Sequence, residues 1–110
     1  MSTDGERLMR LRQMAGMVLD ARLQDLRRER EAQEAIRQKI AALNAVPVED
    51  GLALSAAAQA YLAYDGWAAR RRAELNLQLA ERTAACLQAE AEARRAFGRK
   101  AVTDRITPKP

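Results

Sequence analysis

The chain has 110 residues, a net charge of +4 and 48% hydrophobic residues, yet only 4% are aromatic. That length holds one domain at most, and hydrophobicity carried largely by alanine excludes a large globular core while suiting a narrow seam between long helices. There is no histidine and only one cysteine, which excludes Cys/His zinc sites, histidine-based acid–base catalysis and an intramolecular disulfide.

The first predicted element is a helix over about residues 4–44. Ser2, Thr3 and Asp4 are candidate caps, and Glu6 in the first turn suits the helix dipole. An apolar stripe runs through Leu8, Leu11, Ala15, Leu19, Leu23 and Leu26, spaced mostly by three and four. It lapses across residues 27–34 and resumes at Ile36, Ile40 and Leu43. The polar stretch is expected to fray or splay, or to pack on Ala32 and Ala35. Gly16 is a weak point, costing about 1 kcal/mol relative to alanine.

A turn is predicted over residues 45–51. Asn44 suits a left-handed helix end and Pro47 blocks continuation. Asp50 or Ser55 caps the second helix.

That helix is predicted over about residues 52–104, with a flexible tail over 105–110 where Pro108 and Pro110 fall. Its stripe is more regular. Leu54, Ala58, Tyr61, Asp65, Ala68, Arg72, Leu75, Leu79, Arg82, Cys86, Ala89, Ala93 and Ala96 alternate in steps of four and three. That is the period of a left-handed supercoil. The three charged members are expected to lay their stems along the seam with their heads in water, and Cys86 to serve as a small buried hydrophobe. At 1.5 Å per residue the arms span roughly 60 and 75 Å. The fold expected is all-α, a two-helix antiparallel coiled-coil hairpin, marginally stable alone and able to associate into a homo-oligomer.

In an antiparallel hairpin the two chain ends meet. Residues 1–12 and 93–110 bring nine basic side chains together (Arg7, Arg10, Arg12, Arg94, Arg95, Arg99, Lys100, Arg105 and Lys109) against Asp4, Glu6 and Asp104. The opposite end holds only Glu49, Asp50 and Asp65. A rod basic at its open end and acidic at its tip suits an adaptor with a different protein partner at each end. Candidate contacts at the open end are Arg7, Arg10, Arg94, Arg95, Arg99 and Lys100. Candidate contacts at the tip are Tyr64 and Trp67, which lie to one side of the seam residue Tyr61. A second reading has this aromatic group covering Val46–Pro47–Val48. The tight run Arg70-Arg71-Arg72 spreads over about 200° of helix, so it forms no single patch.

No glycine-rich phosphate loop is present. The only serines are Ser2 and Ser55, and the glutamates alternate with arginines as on a solvated helix face. The chain is therefore expected to be neither an enzyme nor a cofactor binder. It has no run of 18 apolar residues and its first residues do not read as a signal peptide, so a cytoplasmic location is expected. A basic nucleic-acid-associated helical protein is an alternative, but the cluster is small and no base-reading motif accompanies it. A generic coiled-coil interaction protein is another.

Trp67-Ala-Ala-Arg-Arg-Arg-Ala-Glu-Leu-Asn-Leu-Gln-Leu-Ala80, Ala96-Phe-Gly-Arg-Lys-Ala101 and Leu23-Gln-Asp-Leu-Arg-Arg-Glu-Arg30 resemble the FliJ/YscO-type central stalk of type III (flagellar) protein export ATPases. The likeness is architectural and covers nearly the whole chain. It implies a small cytosolic helical hairpin without catalytic activity. It also implies paired termini inserted in a hexameric export ATPase and a tip facing the export gate.

Overall fold

The structure, a computed structural model, describes residues 3–45 and 54–107. They form two helices, α1 (Asp4–Asn44) and α2 (Leu54–Arg105), and no strand occurs among the described residues. The fold is an all-α helical hairpin. Among the described residues, no helix is long and apolar enough to cross a membrane. The predicted turn around Pro47, with Glu49 and Asp50, lies outside the described residues, as do Pro108, Lys109 and Pro110. Because α2 already begins at Leu54, Ser55 stands inside the helix and is not its cap.

Two compact units divide the chain, and both helices contribute to each. One comprises Met1–Glu31 and Ala84–Pro110, the other Ala32–Thr83.

In the first unit Thr3 caps α1. Its hydroxyl accepts a hydrogen bond from the Glu6 N–H at 3.2 Å, and its carbonyl accepts from the Arg7 N–H at 3.1 Å. These bonds satisfy donors that every helix start leaves unpaired. The core is made of Leu8 and Leu26 from α1 and Cys86, Ala89, Ala93 and Ala96 from α2. Leu26, Ala89 and Ala93 form one apolar cluster. Leucines of one helix thus meet alanines of the other, and the short alanine side chains let the backbones approach. Leu11 and Leu23, predicted on the seam, are 52% and 43% exposed. The reason is the same pairing: an alanine stripe is narrow, so it covers only the leucines nearest the line of contact.

The second unit buries Ile36 from α1 and Ala68 and Leu75 from α2. The Gln33 side-chain amide donates to the Thr83 hydroxyl at 2.9 Å, and that hydroxyl donates to the Leu79 carbonyl at 2.7 Å. Near the end of α1, the Tyr64 hydroxyl donates to the Leu43 carbonyl at 3.2 Å, and Arg72 Nε donates to Asn44 Oδ1 at 3.2 Å. Here α1 ends, with no basic residue in its last turn. Tyr64 of α2 therefore supplies a donor to a backbone carbonyl of the helix end, while Arg72 holds the Asn44 side chain.

This register corrects the predicted seam of α2. Ala58, Tyr61 and Asp65 are exposed, Tyr61 by 55%. Tyr64 already reaches the last turn of α1, so Ala58 and Tyr61 lie toward or past the end of α1. Arg82 is exposed as well, and the side chain of Leu54 lies outside the described residues. The predicted fraying across residues 27–34 does not occur, because α1 is continuous from Asp4 to Asn44. Polar links stand where large apolar residues are missing. Arg30 pairs with Glu90 at 3.3 Å within the first unit, and Gln33 bonds Thr83 within the second.

Candidate interaction site

The antiparallel pairing gathers the predicted basic residues of both chain ends into the first unit, but it gives them different work. Arg12 is half-buried. Its guanidinium donates to the backbone carbonyls of Thr103 at 3.2 Å, Asp104 at 3.4 Å and Ile106 at 2.7 Å. These are carbonyls at the end of α2, where intrahelical donors run out. One planar, multi-donor side chain on α1 thereby holds the last turn of α2. The ammonium of Lys100 contacts both carboxylate oxygens of Asp104, at 3.3 and 3.1 Å. Arg12 and Lys100 thus serve the helix end rather than stand outward.

Four of the other predicted contacts, Arg7, Arg94, Arg95 and Arg99, are exposed, and Arg94 lines a different groove from Arg95 and Arg99. Arg94 leans toward Glu90, at 3.9 Å, with its side chain 77% exposed. Arg10 is also exposed. Arg95 and Arg99 are one helical turn apart on α2, and with Arg22 of α1 they line a polar cleft of about 180 Å³. Val18 and Ala96 complete its apolar lining, and Glu92 is its only acid. Glu92 faces Arg22 at 3.7 Å, and Arg22 also pairs with Asp25 at 3.4 Å. Neither Arg95 nor Arg99 makes an ion pair with a described residue. Three guanidinium groups and one carboxylate line the cleft, and with Asp25 also paired to Arg22 it retains net positive charge, which suits carboxylates of a partner.

Sequence reasoning overlooked Arg22, because it sits in an arm whose charges nearly balance. Helix geometry offered a signal: Leu11, Val18 and Arg22 succeed one another at seven and four residues, so they share a face beside the seam. That face is markedly apolar for an exposed one. Leu11, Met14 and Val18 are 52%, 61% and 42% exposed.

The predicted aromatic contacts lie in the second unit. Tyr64 is half-buried and bonded to Leu43, while Trp67 is 49% exposed. Their ring centroids are 5.8 Å apart at an interplanar angle of 45°. Trp67 is therefore held by Tyr64 on one side and faces water on another. The alternative role for these rings, covering residues 46–48, concerns positions outside the described residues. Cys86 is buried and in no disulfide, as expected of a small apolar side chain. No cluster of potential metal ligands occurs among the described residues. Compared with protein-family models, curated proteins and solved structures, the chain matches none.

Proposed function

We propose that this chain is a non-catalytic helical adaptor that docks an acidic protein surface at the Arg22–Arg95–Arg99 cleft. The observation that carries this reading is the convergence of three arginines from two helices around a single carboxylate. The specific partner proposed is the hexameric ATPase of a type III (flagellar) export apparatus, on the strength of the sequence resemblance to its stalk family. The exposed Trp67 beside Tyr64 is the second docking point, proposed to face the export gate. The chain is proposed to work in the cytoplasm.

The reading is tested by co-sedimentation with the export ATPase and by its hydrolysis rate. Reversing Arg94, Arg95 and Arg99 to glutamate should abolish both binding and stimulation. Reversing Arg95 and Arg99 alone should account for most of that loss. Reversing Arg70 and Arg71 should matter less. Wild-type binding should weaken as salt rises, because charges at an exposed cleft are screened over about 8 Å at physiological ionic strength. Unchanged binding in the triple variant would remove the cleft as the contact. Salt-sensitive capture of duplex DNA, without capture of the ATPase, would favour the nucleic-acid alternative.

A further inference from the structure

A second surface of the same unit shares no residue with the arginine cleft. It is an apolar groove of about 660 Å³ between α1 and α2. Leu26 and Ala93 form its buried floor. Leu19 and Leu23 form one wall and Phe97 the other. Phe97, the only phenylalanine of the chain, is 65% exposed, and Leu23 is 43% exposed. Leu19, Leu23 and Leu26 lie at i, i+4 and i+7, so they present one continuous stripe along α1. With Arg30 at its far end, the groove runs along about 17 Å of α1, some three helical turns.

We propose that this groove receives an amphipathic helix of a partner protein, with an apolar stripe and acidic residues beside it. The shape argument is that two packed helices leave a channel in which a third can lie against both, and the small Ala93 on the floor permits close approach. The charge argument concerns the rim. Glu90 faces Arg30 at 3.3 Å and Arg94 at 3.9 Å. Two cations therefore share one carboxylate, and the rim retains one positive charge. An acidic residue on the incoming helix completes the pairing of Arg94. A second copy of this chain would bring the same net-positive rim against it, so like charge would meet like. The exposed aromatic ring supplies the anchor that such interfaces concentrate their affinity in. This surface goes beyond the docking proposed at the arginine cleft and does not depend on it.

The test uses the full chain and a hydrocarbon-stapled helical peptide of about 14 residues, enough to fill the groove. The peptide carries leucines at i, i+3, i+4 and i+7 flanked by glutamates, and a second version has glutamine at each glutamate. Binding is read by fluorescence anisotropy. The glutamate peptide should bind wild type at least about tenfold more tightly than it binds Phe97→Ala or Leu23→Gln. Both positions are exposed, and circular dichroism should show unchanged helicity in each variant. Arg94→Gln should weaken the glutamate peptide and leave the glutamine peptide unaffected. Reversal of Arg95 and Arg99 should weaken it less than Arg94→Gln does, which separates this groove from the cleft. Absent binding, or equal binding to wild type and Phe97→Ala, overturns the proposal. Wild-type self-association that disappears in Phe97→Ala also overturns it, by making a second copy the occupant.

Discussion

At the scale of single residues, the helix ends and the glycines make the clearest claims. Arg12 donates to three backbone carbonyls at the end of α2, so its removal should fray that end. Arg12→Ala is expected to cost about 1 kcal/mol locally, a typical value for a partly exposed hydrogen-bonded group. Hydrogen exchange should accelerate at residues 102–106, with little change near Leu75. Arg12→Lys should restore little, since an ammonium cannot span several carbonyls as a planar guanidinium does. Gly98 makes the opposite case. A methyl group placed there meets nothing within 4 Å, and the position is helical. Gly98→Ala should stabilise the protein by roughly 0.5–1 kcal/mol, because alanine loses less backbone freedom on entering a helix. A thermal melt that moves down rather than up would contradict the open space beside this residue.

At the scale of elements, the helices persist because packing supplements propensity. The second unit depends on a single large, fully covered side chain of α2. Leu75 is 1% exposed, whereas Leu77 on the same helix is 64% exposed. Leu75→Ala should therefore destabilise by roughly 2–5 kcal/mol, and Leu77→Ala by less than about 0.5 kcal/mol. Urea titration followed by circular dichroism distinguishes them. Similar midpoints for the two variants would mean that the two faces of α2 are not distinguished as described. The polar stretch across residues 27–34 belongs to the same scale. Its helix is retained by good helix formers and by links to α2 through Arg30 and Gln33. Exposed ion pairs contribute little, typically below about 1 kcal/mol each, so these links set register more than stability.

At the scale of the whole molecule, the apolar set buried among the described residues is small. Leu8, Leu26, Ile36 and Leu75 are its large members, and the rest are alanines and Cys86. Chains with so little covered surface are marginal when isolated. The outward-facing Met9, Met14, Met17, Leu87 and Val102 are each more than half exposed, which adds a reason to associate. A broad or concentration-dependent melt is expected by circular dichroism at two protein concentrations about a hundredfold apart. A sharp, concentration-independent transition at high temperature would show that the helix pair is more self-sufficient than its core suggests. A partner that binds only the folded form would stabilise the chain by mass action.

Local chemistry was enough to determine the two helices, a cap among Ser2, Thr3 and Asp4 and the alanine-rich stripe of α2, because propensity, capping and period act within a few residues along the chain. Burial of Cys86, Ala89, Ala93 and Ala96 agrees with that period, but Ala58, Tyr61 and Arg82 share the period and are exposed. Which leucines of α1 would be covered was not determined in this way, since Leu8, Leu11, Leu19, Leu23 and Leu26 all satisfy the stripe and a narrow alanine face shelters only some of them. The exchange of roles between Tyr61 and Tyr64 was hidden for a related reason. It depends on where α1 ends relative to α2, a register between segments far apart in sequence. The split of the basic cluster into a helix clamp at Arg12, an ion pair at Lys100 and a cleft at Arg22, Arg95 and Arg99 was likewise a tertiary outcome. Charge counts sum over a region, while chemistry depends on which face each side chain takes and which backbone carbonyls lie within reach of it.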